Sequence, residues 1–151
     1  MAWRAIRESD IDTRLSATEL AGIRARAAEG TDPVAESMAL VTERVRGHVA
    51  AQPANRLGPE GTLPERLIGA AAALLVVELY SRTAGLLIDL NETRKDAAKS
   101  AETLLRDVSR GAFAVELPAA GTESAEDAKA AAAELVTRSE RPLLRRDLEG
   151  L

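Results

Sequence analysis

The chain has 151 residues, 20 basic and 24 acidic side chains, a formal net charge of −4, one histidine and no cysteine. Without cysteine there are no disulfides, no thiolate metal sites and no cysteine nucleophile. The negative balance opposes tight nucleic-acid binding, which needs Lys and Arg to displace counterions from phosphates.

Trp3, Tyr80 and Phe113 are the whole aromatic set. The core must therefore be built from Leu, Val, Ile and Ala, in one domain of modest stability that gains from assembly. The opening MAWRAIRESD lacks the apolar core of a signal peptide. The longest apolar run, Leu67 to Val77, is too short to cross a bilayer and ends at Glu78, so no membrane association is expected.

In chain order, Ser9 with Asp12 predicts a short capped helix, and Ser16 with Glu19 forms a clearer capping box. The helix that follows is expected over 16–29 and ends at Gly30. Asp32 before Pro33 is a strong start signal, a capping acid ahead of a first-turn proline. Val34, Met38, Val41, Val45 and Val49 then make an apolar stripe that should stop near Gln52. The stretch PANRLGPEG, 53–61, is saturated with breakers and reads as a loop. Thr62 with Glu65 suggests another capping box, opening a helix from Leu63 to about Thr83. That helix is apolar nearly all round, so it should be buried on every side, as the central helix or against neighbouring subunits.

Gly85 should end that helix, with LLIDL as a bridge to the next, which starts at Asn91. Ala97, Ala101, Leu104, Val108 and Ala112 form a narrow apolar stripe, and Gly111 supplies a permissive stop. Phe113, Val115 and Leu117 alternate with Ala114 and Glu116 up to Pro118, the period of an extended strip that a partner could complete. Beyond it lie a Ser124-capped, Ala-rich helix to about Arg138, marginal alone, and a break at Pro142. There is no internal repeat and no heptad run long enough for a coiled coil. The expected fold is all-α: a bundle of about four helices over 1–112 and an extended C-terminal arm with a short Ala-rich helix over 113–151.

Catalytic chemistry finds little support. His48 has neither an orienting partner nor a nucleophile nearby in sequence and reads as a last-turn histidine favoured by the helix dipole. Asp89, Glu92 and Asp96 could offer oxygen ligands, but they lie where helix starts collect acids and lack a calcium-loop glycine pattern. GPEG lacks the Lys and Ser or Thr of a phosphate loop. Glu78 and Arg82 suit either an intrahelical ion pair or, if enclosed, a register-fixing contact between subunits. The end of the chain, with Leu143, Leu144 and Leu148 among mixed charges, reads equally as a solvated tail or as a docking peptide. A helical interaction module without cofactor or metal remains, and an enzyme is not expected.

The segments MAWRAIRESDIDTRLSATEL, DPVAESMALVTERVRGHVAA, LGPEGTLPERLIGAAAALLVVELYSRT and RKDAAKSAETLLRDVSRGAFAVE follow the order seen in head–tail adaptor proteins of tailed bacteriophages. These are also called connector or head-completion proteins. The chain resembles them from Trp3 to Pro118, most of all at Leu79-Tyr80 and LLRDVSRG. It departs from them at Val76, Val77 and Glu78, where relatives often carry a basic and aromatic stretch, and at Ala98, where many have tyrosine.

The resemblance implies a homo-oligomeric ring, usually dodecameric, below the portal vertex at the head–tail junction of the virion, made in the bacterial host cytoplasm. The portal protein and a tail or neck completion protein would be its partners, and double-stranded DNA would pass through it without sequence-specific binding. Phe113, Val115 and Leu117, with Leu143, Leu144 and Leu148, are then expected to bind the portal or a neighbouring subunit. Asn55, Arg56, Leu57 and Glu60 are expected to line the channel or meet the neck. The alternative is a cytosolic helical regulator that acts as a dimer.

Overall fold

Between Leu67 and Tyr80 the chain offers almost no face to water, and the fold is arranged around that run. The computed structural model describes residues 3–82 and 90–119, and the chain divides into units after Ala119. Among the described residues it is an all-α bundle of four helices: α1 (Ala17–Arg24), α2 (Pro33–Ala50), α3 (Glu65–Arg82) and α4 (Glu92–Ser109). Two short strands, β1 (Trp3–Arg4) and β2 (Leu63–Pro64), pair antiparallel with Trp3 opposite Pro64 and Arg4 opposite Leu63. No described helix is long and apolar enough to cross a membrane.

Helix α3 is the central element and packs against both α2 and α4. Leu67, Ile68, Leu74, Leu75, Val76 and Leu79 are buried, and Ala70 to Ala73 let neighbouring helices approach closely. Helix α2 starts as expected: the Asp32 side chain accepts the Val34 N–H at 3.0 Å and Pro33 occupies the first turn. Its Val34, Val41, Val45 and Val49 are buried, while Met38 is half-buried.

Helix α4 begins where the Asn91 side chain accepts the Arg94 N–H at 2.9 Å. Its buried stripe is Ala98, Ala101, Leu105 and Val108, with Ala97 and Leu104 at its margin. The stripe is centred one residue beyond the expected Ala97 and Leu104, because the three-four-three spacing of those residues faces α3 most directly. At the C-terminus the N–H of Gly111 donates to Val108 and that of Ala112 to Asp107, at 3.0 and 2.8 Å. Gly111 sits at φ 76°, the left-handed stop that this pair of bonds requires.

Three expected boundaries are corrected by the structure. Helix α1 is anchored by the Ser16–Glu19 box but stops at Arg24 instead of running to Glu29. Beyond Leu20 and Ile23 no large apolar side chain remains to bury, and the backbone passes into three-residue turns at Arg26 and Ala27. Ser9 and Asp12 do not frame a helix. A 3-10 turn spans Glu8–Asp10, where the Asp10 carboxylate accepts the Arg7 N–H at 2.7 Å.

Thr62 and Glu65 do not form a capping box either. Leu63 is fully buried in the ladder with Arg4, and the Glu65 carboxylate accepts from the Arg4 guanidinium at 2.8 Å. Pairing with a distant strand outcompetes a local cap here. Gly85, LLIDL and the Ser124 helix lie outside the described residues.

Candidate interaction surface

One end of the bundle gathers β1, the loop after α2 and the strip after α4 around Trp3. The indole ring lies against the backbone of Gly58, where an added Cβ would stand 2.5 Å from the ring. Only glycine permits that approach. The indole Nε1 donates to the Glu116 carbonyl at 2.8 Å. The tryptophan therefore holds loop and strip together.

The loop itself is shaped by one buried cation. The Arg46 guanidinium donates to the carbonyls of Pro59, Thr62 and Gly58, at 2.9, 2.8 and 3.3 Å. Three carbonyl dipoles turned toward one fixed charge give a loop of nine residues a single conformation. Asn55, expected at the channel or neck, donates instead to the last-turn carbonyl of Val49 at 3.1 Å and secures the end of α2. Arg56 and Glu60 are exposed, and Leu57 is 43 % exposed. Glu60 also borders a cavity of about 300 Å³ between Ile6, Met38 and Thr42.

The strip follows the alternation only in part. Phe113 and Val115 are half-buried against this chain's own core, whereas Leu117 is 63 % exposed. Glu116, expected to face outward, has a side chain only 10 % exposed, with Arg66 Nε 3.2 Å from its carboxylate. Neither carboxylate oxygen receives a directed hydrogen bond. The strip is thus held by one indole hydrogen bond, the Phe113 N–H to the Asp107 carbonyl at 3.2 Å, one ion pair and two apolar side chains. Leu57 and Leu117, each one position along the chain from a Trp3 contact, are two of the exposed large apolar side chains among the described residues. Leu143, Leu144 and Leu148 lie outside the described residues.

No protein-family model, curated protein or solved structure matches this chain.

Elsewhere the polar groups tie helices together. The Arg94 guanidinium donates to Glu19 and the Tyr80 hydroxyl at 2.9 and 2.6 Å, and to the Arg14 carbonyl at 2.7 Å. The Tyr80 hydroxyl donates to Glu19 at 2.6 Å, and the Arg94 cation lies 5.5 Å from the centre of the tyrosine ring. Hydrogen bonding from Arg94 outweighs desolvation and holds the Glu19 carboxyl well below the usual carboxylate range. Burial, reinforced by Glu19, pushes the Tyr80 phenol up.

Arg82 bridges Glu78 in its own helix at 3.1 Å and Glu36 of α2 at 2.8 Å, so the expected intrahelical pair also links two helices. His48 gains a partner that sequence reasoning missed, because Ser109 lies 61 positions away. Its Nδ1 stands 2.8 Å from the Ser109 Oγ. That hydroxyl also lies 2.9 Å from the Leu105 carbonyl and 3.3 Å from the His48 carbonyl, either of which can accept its proton. The arrangement latches the ends of α2 and α4 together. Asp89 lies outside the described residues, and among those described no three His, Asp or Glu side chains converge to hold a metal ion.

Proposed function

We propose that this chain is a head–tail adaptor of a tailed bacteriophage. Copies form a ring, usually dodecameric in the family it resembles, beneath the portal protein at the neck of the virion. The ring extends the DNA channel and offers a platform on which a tail or neck protein docks. The observation that carries this reading is the end of the bundle around Trp3, where Leu57 and Leu117 expose apolar surface beside a weakly held strip. Exposed aliphatic side chains favour burial against a protein partner over solvent. The resemblance from Trp3 to Pro118 supports the same role. The net charge of −4 fits it too, because a mildly acidic wall lets a polyanion slide past without holding it.

The role is mechanical. Subunits add after packaging, and their contacts with the portal offset the cost of ordering the segments that reach it. Native mass spectrometry and electron microscopy of the full chain, with and without the cognate portal protein, test the proposal. The expected result is a closed ring that caps the portal, and loss of portal binding when Leu57→Asp and Leu117→Asp are combined. A chain that binds no portal, or forms only a dimer, overturns it in favour of the regulatory alternative.

A further inference from the structure

On the side of the bundle formed by α3 and α4 there is a cavity of about 260 Å³. Its apolar walls are Ala73 and Val76 of α3 and Ala97 of α4, and Arg14 and Arg94 stand at its polar edge. The hollow exists because three small side chains sit where larger ones would fill the space. Both terminal nitrogens of Arg94 are engaged, by Glu19, Tyr80 and the Arg14 carbonyl. Among the described residues the Arg14 guanidinium has no hydrogen bond or ion pair. A cation with no partner of its own therefore borders an apolar hollow.

A matching projection lies on another helix. Leu40, 49 % exposed, stands on the outer face of α2. Glu36 and Glu43, four residues before and three after, share that face. Glu36 is engaged by Arg82, but the Glu43 side chain is 69 % exposed and only 3.8 Å from its nearest cation, Arg46. Shape and charge therefore correspond: an aliphatic knob beside an acid on α2, and an apolar hollow beside a base on α3 and α4.

We infer that a second copy of this chain seats its Leu40 in the hollow between Ala73, Val76 and Ala97, with its Glu43 against Arg14. The inference rests on the ring reading and specifies the contact between adjacent subunits. Knob and hollow occupy different elements of one molecule, and in a ring each copy offers its knob to one neighbour and its hollow to the other. That head-to-tail contact closes into a ring when the rotation between copies permits. The hollow buries the aliphatic group, and the ion pair sets orientation.

The chain has no cysteine, which allows a direct test on the full-length protein. Leu40→Cys in one preparation and Ala97→Cys in another, mixed under mild oxidation, should give mainly the mixed disulfide dimer. A single preparation carrying both substitutions should give a ladder of covalent oligomers. A Leu40→Cys homodimer as the main product overturns the contact, since it indicates a two-fold interface. Independently, Arg14→Glu and Glu43→Arg should each weaken self-association about tenfold, and their combination should recover most of the loss. Failure of the combination to recover it also overturns the contact. Leu40→Asp should abolish assembly while leaving the helical circular-dichroism signal and melting temperature of the monomer unchanged. Rings that persist in Leu40→Asp overturn this contact and leave the adaptor reading standing. A wild-type chain that stays monomeric at high concentration, with and without portal, overturns both.

Discussion

Trp3 and Glu116 are joined across 113 positions of sequence by a hydrogen bond of 2.8 Å from the indole to a backbone carbonyl. The bond pins β1 to the strip that follows α4. Beside it, the strip is held by the Phe113 N–H to the Asp107 carbonyl at 3.2 Å, by Arg66 against Glu116, and by Phe113 and Val115 packed on the core.

Replacing Trp3 with phenylalanine keeps a ring over Gly58 and removes the donor. Trp3→Phe should lower stability by about 1 kcal/mol in urea titrations, the net worth of one hydrogen bond. Amide exchange over 113–119 should accelerate while that of α3 stays slow. Unchanged exchange in the strip would show that Phe113 and Val115 hold it alone.

Two glycine-to-alanine substitutions should have opposite signs. At Gly58 the new methyl meets the Trp3 ring at 2.5 Å, so Gly58→Ala should destabilise by about 1–3 kcal/mol. At Gly47, inside α2, an added Cβ meets nothing within 4 Å, and Gly47→Ala should stabilise by about 0.5–1 kcal/mol. Equal effects at both positions would refute the close packing of Trp3 on the loop.

The Glu19 carboxyl titrates below its ordinary value of 4.5 in the folded chain. A depressed carboxylate contributes stability that is fully present above the unfolded value and is lost as pH falls through the folded one. Glu19→Gln should therefore cost about 2 kcal/mol at pH 7, as expected for hydrogen bonds to a charged group. The difference from wild type should shrink as pH is lowered below 4.5. A difference that is constant with pH in chemical denaturation would assign the loss to packing instead.

Arg46 offers a fourth check. Arg46→Met keeps the aliphatic stem and removes every donor to Gly58, Pro59 and Thr62. Limited proteolysis should then cut between 53 and 61 at least about tenfold faster, since the loop loses charge-assisted bonds of about 1.5–3 kcal/mol each. Cleavage at the wild-type rate would show that Trp3 and Asn55 suffice to shape the loop.

Much of the bundle was legible because its signals act within one helical turn. Ser16 with Glu19, Asp32 before Pro33, Asn91 and Gly111 each satisfy backbone groups two or three residues away, and each marks a terminus in the structure. The apolar circumference of α3 announced a central helix for the same reason, since periodicity is a local property. Where a local signal competed with a distant partner, it failed. Thr62 and Glu65 have the spacing of a cap, yet Arg4 and the buried Leu63 claim that segment for a β ladder.

The candidate surface was legible only in outline. The breaker-rich loop of nine residues and the alternating strip could be found along the chain. Their meeting could not, because Trp3, Gly58 and Glu116 carry no mutual pattern in sequence. The same is true of His48 with Ser109, and of Arg94 with Glu19 and Tyr80.

Sequence alone determined the helical class, the central position of α3, the glycine stop of α4 and the lack of any cysteine chemistry, because caps, periodicity and composition need no folded neighbour. Tertiary structure alone decided which aliphatic groups remain exposed, where the small side chains leave a hollow, and how Trp3 gathers two distant segments. Those outcomes depend on side chains brought together by packing, and the spacing of residues along a chain does not encode which of them will share a surface.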